Sequence, residues 1–183
     1  MKTKFRLLLM LLVFVTIGCN QNSISDSNPS NSNQTFVSEW HNYSIEYPES
    51  WTAEKRPDDN TVYLIGPEID STAFNQDGTF GIKVFALPEP LTSQYTYEKN
   101  MESFTTDPTF KDFKINSKTE IFIDDKSAIR VIHSASVFDK ETISLQYYLA
   151  VDKKLFIMGG SIPSKTLGKY ENIFDEITES MKL

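Results

Sequence analysis

The sequence predicts an α+β domain, an antiparallel β-sheet flanked by α-helices. Three observations carry that prediction. Segments that alternate apolar and polar residues recur along the chain, as in Tyr43-Ser44-Ile45-Glu46-Tyr47 and from Ile143 to Val151, and period two belongs to a half-buried strand. Two segments instead place apolar residues at helical spacing, Tyr97, Met101 and Phe104, then Leu167, Tyr170, Phe174, Ile177 and Met181. Their order is four strands, a helix, four strands and a helix, with short turns joining the last four strands, which implies an antiparallel meander.

The elements follow from local chemistry. Pro48 lacks a backbone donor and closes the strand that begins at Tyr43. Trp51 starts a second strand after a tight turn, and Arg56 to Asn60 reads as a polar loop. Val62 to Ile65 is a third strand, stopped by Gly66-Pro67. Glu68 to Gly78 is a longer loop with an Asp77-Gly78 turn signal, and Phe80 to Leu87 is a fourth strand, closed by Pro88. Thr92 or Ser93 can cap the first helix, which Asp107-Pro108 ends. Strands then run from Phe113 to Ile123, Ala128 to Phe138, Ile143 to Val151 and Leu155 to Ile162. The turns between them are Asp124 to Ser127, Asp139-Lys140 and Asp152 to Lys154. Pro163 breaks the last strand. Ser164 is placed to cap the final helix, with Lys165, Lys169, Glu171, Glu176 and Glu179 on its water-facing side.

The chain has 183 residues and a net charge of −7. An acidic balance argues against nucleic acid as a partner and against adhesion to anionic lipid through a basic patch. Thirteen Phe, eight Tyr and two Trp can supply a large core, and a domain of this size buries roughly 70% of its unfolded surface. With one cysteine no disulfide can form within the chain.

That cysteine, Cys19, follows an N-terminus built like a secretory signal. Lys2, Lys4 and Arg6 precede an apolar run from Leu7 to Ile17, interrupted only by Thr16. The run is far short of the roughly 20 residues a membrane-spanning helix needs, and Gly18 supplies the small residue at a cleavage site. Thr16-Ile17-Gly18-Cys19 resembles the lipobox of bacterial lipoproteins, with Thr16 where an aliphatic residue is usual. The expectation is a lipoprotein signal over residues 1–18, removed so that the Cys19 thiol carries lipid. The alternatives are an ordinary cleaved signal with an incidental cysteine, or an uncleaved anchor. Two or three acyl chains would attach the protein durably, since each buried CH₂ contributes about 0.8 kcal/mol. Asn20 to Thr35, NQNSISDSNPSNSNQT, is too polar to bury itself. Residues 19–35 are therefore expected to form the lipidated cysteine and a disordered tether spanning about 20–25 Å, and residues 36–183 the globular domain.

Tyr43-Ser44-Ile45-Glu46-Tyr47-Pro48-Glu49-Ser50-Trp51 resembles the opening signature of PsbP-like domains, and Phe174 to Met181 is similar to their terminal helix. The element order between them also matches, while Asp125 and Lys126 stand where relatives often carry Gly. The resemblance implies an α/β/α sandwich, no common enzymatic activity, and a shared habit of binding other proteins.

Side chains that could do chemistry are few. His133 lies mid-strand on the face of Ile129, Val131, Ala135 and Val137, so a buried neutral imidazole with one hydrogen bond is expected. His41, after Trp40, is expected to be exposed, and the two histidines make no zinc spacing. Asp58-Asp59 and Asp124-Asp125 are expected in solvated turns; neither fits a calcium loop. Serine is abundant, yet no G-x-S-x-G elbow occurs. Gly159-Gly160 inside a strand implies a bulge or a close backbone approach. Tyr95, Tyr97, Phe104, Phe110 and Phe113 are expected as core plus rim, with an exposed recognition patch as the alternative.

The implied function is that of a membrane-anchored lipoprotein of the bacterial cell envelope, on the extracytoplasmic side. Its domain would be a non-catalytic module for an unidentified protein partner, with no metal or cofactor. The alternatives are a lipoprotein binding a small ligand or apolar peptide and, further off, an envelope hydrolase.

Overall fold

The structure, a computed structural model, describes residues 32–56, 60–67, 79–137, 139–162 and 166–183. Five strands come first: β1 (Asn33–Ser38), β2 (Tyr43–Pro48), β3 (Thr52–Arg56), β4 (Thr61–Ile65) and β5 (Thr79–Ala86). Helix α1 (Ser93–Thr106) follows, then β6 (Phe110–Ile123), β7 (Lys126–Val137), β8 (Lys140–Val151), β9 (Lys154–Ile162) and helix α2 (Leu167–Glu179). The α+β prediction holds. Strands β3 to β9 form one antiparallel sheet in the order β3-β4-β5-β9-β8-β7-β6, while β1 and β2 pair separately as a two-stranded hairpin. The meander β6-β7-β8-β9 is the expected one.

The pleat sends alternate side chains to opposite faces, and each face has its own apolar layer. On one side Phe80, Ile82, Leu145, Tyr147, Leu149, Phe156 and Met158 pack against Tyr43, Ile45 and Tyr47 of the hairpin and Tyr170, Phe174 and Ile177 of α2. Phe174 is fully buried and meets Phe80 edge-on at 5.0 Å between ring centres. Burying one such ring contributes about 1.5–3 kcal/mol. On the other side Ile129, Val131, Tyr148, Leu155 and Ile157 pack against Leu87, which follows β5, and Tyr97 and Met101 of α1.

Four expectations shift. The tether was expected to run to Thr35, but Asn33 already pairs with Pro48 and Gln34 with Tyr47. Gln34 Nε2 donates to the Trp51 carbonyl at 2.7 Å, so a polar stretch is held by hydrogen bonds that composition does not reveal. Strand β6 begins at Phe110 rather than Phe113, because Asp112 takes a positive φ of 54° at an irregularity that lets the pairing resume at Lys114. Thr166, not Ser164, stands at the α2 N-cap. Glu171, expected to face water, bonds Arg130 beneath α2. Cys19, residues 20–31, Asp58-Asp59 and Asp77-Gly78 lie outside the described residues.

Two glycines let β9 sit between its neighbours. A Cβ on Gly159, whose φ is +122°, would stand 2.0 Å from the Leu145 carbonyl oxygen, and one on Gly160 would stand 2.1 Å from the Thr79 oxygen. The expected close backbone approach is what the Gly-Gly pair permits.

Candidate functional site

Beneath α1 a chain of buried polar groups crosses from helix to sheet. Thr92 caps α1 by accepting from the Tyr95 N–H, and two turns on, Asn100 is delivered into the interior. Asn100 Nδ2 donates to the Tyr148 hydroxyl. That hydroxyl donates to Gln146 Oε1, which lies 3.2 Å from His133 Nε2. Because Gln146 Oε1 can only accept, His133 carries its proton on Nε2. The imidazole also touches two aromatic rings, Phe104 at 5.1 Å and Phe113 at 5.3 Å. Burial pushes its pKa down to about 4, with the Gln146 hydrogen bond opposing. Burial likewise raises the Tyr148 phenol above its ordinary value. His133 is thus a neutral, hydrogen-bonded imidazole, as its strand position predicts. Each member of the chain engages another.

On the opposite face Arg130 of β7 reaches α2. Its Nε donates to Asp175 Oδ1 at 2.7 Å, and its Nη2 to Glu171 Oε1 at 2.6 Å and Asp175 Oδ2 at 3.0 Å. Tyr147 of β8 adds its hydroxyl to Asp175 Oδ1 at 2.6 Å. Burial drives the Tyr147 phenol up, and the bond to Asp175 adds to it. These groups bind one another and clamp α2 to the sheet.

The other sequence candidates are dispersed. His41 sits in the β1–β2 turn and is half-buried rather than exposed; burial lowers its pKa, helped by the Lys154 and Lys55 charges. Asp124 and Asp125 form the two-residue β6–β7 turn, both with positive φ. Asp124 accepts from the Leu183 N–H and Lys182 Nζ, and those hydrogen bonds lower its carboxyl pKa. Of the aromatic group, Tyr97 is buried, Phe104, Phe110 and Phe113 are half-buried, and Tyr95 is exposed. Core plus rim is therefore correct. Asp112, Ser134, Ala135, Ser136 and Glu141 line an open depression of about 240 Å³. Among the described residues no three His, Cys, Asp or Glu side chains gather as a metal site would need.

The sequence reading missed Arg130, Asp175, Gln146 and Asn100. The first had a visible signal, a cation within the apolar alternation Ile129-Arg130-Val131-Ile132, since a charge on a strand's core face requires a partner. The partners themselves came from segments tens of residues away.

No protein-family model matches this chain, and no curated protein matches it in sequence. Solved structures do. Cyanobacterial PsbP (CyanoP) from Synechocystis sp. PCC 6803 superposes with a TM-score of 0.60 at 14% identity, over 91% of this chain and 97% of CyanoP. LpqN of Mycobacterium tuberculosis, described as involved in cell envelope biogenesis, superposes with a TM-score of 0.60 at 9% identity, over 83% of this chain and 91% of LpqN. The Ran-binding protein Mog1p of Saccharomyces cerevisiae follows with a TM-score of 0.56 at 6% identity, over 84% and 96%. At such identities the likeness is one of fold, and that fold is PsbP-like.

Proposed function

We propose that this protein is a lipid-anchored bacterial envelope protein whose PsbP-like domain binds another protein without catalysing a reaction. The observation that carries the proposal is the pairing of an N-terminal lipobox-like Thr16-Ile17-Gly18-Cys19 with a folded body whose first strand starts at Asn33. The residues between serve as the tether. The comparisons support the second half: one neighbour of the same fold is described as a Ran-binding protein and another as involved in cell envelope biogenesis. The buried polar groups also support it. His133, Gln146, Tyr148 and Asn100 close on one another, as do Arg130, Asp175, Glu171 and Tyr147, in the manner of groups that specify packing. The depression lined by Asp112, Ser134, Ala135, Ser136 and Glu141 is open and carries two carboxylates, a poor match for an apolar peptide.

Metabolic labelling with palmitate and membrane fractionation test the anchor. The wild-type chain takes up label and sediments with membranes, whereas Cys19→Ala takes up none and is released. Retention of Cys19→Ala on membranes, with no label in the wild type, would refute it.

A further inference from the structure

We infer that one end of the sandwich, formed by the β1–β2, β6–β7 and β8–β9 turns, is the docking surface for a second protein that presents an apolar patch of its own. This rests on the reading of the chain as a tethered binding module.

Six large apolar side chains are exposed among the described residues, and five of them, Val37, Trp40, Tyr95, Phe122 and Leu183, lie at this end. Trp40 is 80% exposed and Phe122 is 70% exposed. Single exposed apolar residues are ordinary, but a gathering of nearly all of them is what marks an interaction site. Direct contacts join their positions. Trp40 stands on the β1–β2 turn, which Lys154 Nζ ties to the β8–β9 turn through the His41 carbonyl at 2.9 Å. Val37 pairs with Ser44. Ser44 and Lys182 exchange backbone hydrogen bonds of 2.9 Å. The Leu183 N–H donates to Asp124 at 3.1 Å, two residues beyond Phe122. Phe122 pairs with Ser127, whose carbonyl accepts from Ser93 Oγ at 2.7 Å, two residues before Tyr95.

The same geometry selects a protein over a bilayer as occupant. Strand β1 runs toward this end from Asn33, which pairs with Pro48 at the opposite end, where the Ser32 carbonyl accepts from the Glu49 N–H at 3.0 Å. The chain toward Cys19 therefore leaves from the far end. Strand β1 has only six residues, so Trp40 stands about 25 Å from the point at Ser32 where the tether leaves. The stretch between Cys19 and Ser32 has an ordinary span of about 20 Å. Pressing Trp40 into the membrane would hold the tether stretched beyond that span, whereas facing away from the membrane leaves it relaxed. Charges of both signs surround the apolar residues, Lys126, Lys153 and Lys182 beside Glu39, Asp125 and Asp152. An anionic bilayer would select a cluster of cations instead. Exposed Trp, Tyr and Phe inside a mixed polar rim is the anatomy of a protein interface.

The test uses the full chain in its own cells, with photoreactive benzoylphenylalanine replacing Trp40, Phe122 or Tyr95, and Glu49 or Asp139 at the opposite end. Positions 40 and 122 yield one and the same protein adduct, at least about tenfold above positions 49 and 139. Trp40→Ser combined with Phe122→Ser removes the adduct formed from position 95 and leaves the melting temperature unchanged, because both side chains are in solvent. A lipid adduct, an adduct of two copies of this chain, equal yield at both ends, or no adduct at all would overturn the proposal. The anchor and the docking surface fail separately. Cys19→Ala protein that stays on membranes removes the first, and crosslinking that ignores position removes the second.

Discussion

Asp175 in α2 holds Arg130 in β7 by both carboxylate oxygens, Oδ1 at 2.7 Å from Nε and Oδ2 at 3.0 Å from Nη2. The arginine side chain keeps only 14% of its surface exposed. Removing either partner leaves a charge stranded under the helix. Arg130→Ala should destabilise the fold by about 2–4 kcal/mol, and an apolar pair, Arg130→Met with Asp175→Leu, should recover only part of that, because the buried Tyr147 hydroxyl loses its acceptor. Urea unfolding of the two variants decides it. A loss below about 0.5 kcal/mol would mean the clamp is a surface pair of ordinary worth.

His133 makes stability depend on pH. Its imidazole accepts a second proton in the folded state only near pH 4, while an unfolded histidine does so near 6.5. Between those values the unfolded chain holds more protons, so stability is whole above about pH 6.5 and falls as the pH drops toward 4, by about 3 kcal/mol. Carboxylates add their own acid losses at lower pH. His133→Leu should flatten the pH 4–6.5 segment of the unfolding profile; an unchanged slope would show that other groups set it.

Gly159, Gly160 and Gly168 give opposite expectations. Gly159→Ala forces a Cβ against the Leu145 oxygen at a φ of +122°, and Gly160→Ala drives one against the Thr79 oxygen. Each should cost more than about 3 kcal/mol or abolish folding, a cost in the range of severe core overpacking. Gly168, in the first turn of α2, has open space where the Cβ would go, so Gly168→Ala should stabilise by about 0.5–1 kcal/mol. Thermal melts of the three variants test the ranking.

The β6–β7 turn holds Asp124 and Asp125 at φ values of 46° and 61°, the left-handed pair of a type I′ hairpin, whose second position favours glycine. Asp125→Gly should therefore stabilise by about 0.5–1 kcal/mol. Asp124→Gly should not, because Asp124 also binds the Leu183 N–H. Comparing the two melting temperatures separates turn geometry from the lost hydrogen bond.

Periodicity alone located both helices, the last four strands and the buried state of His133. Each depends on residues a few positions apart, and amphipathic spacing records which side of a segment meets the core. It failed at β1, where Asn33, Gln34 and Thr35 look like tether. Their strand exists because β2 lies alongside, and no local pattern announces a partner fifteen residues downstream. The separation of β1–β2 from the main sheet is another fact of assembly.

By itself, then, the order of residues determined the α+β class, the meander and the inward-facing histidine. The tertiary structure alone decided that Arg130 would find Asp175 and Glu171, that Asn100 would meet Tyr148, and that Trp40, Phe122 and Tyr95 would share one end. The physical reason is range. Local patterns encode how a segment divides between core and water, whereas which buried groups satisfy one another depends on contacts dozens of residues apart, made only when the layers close.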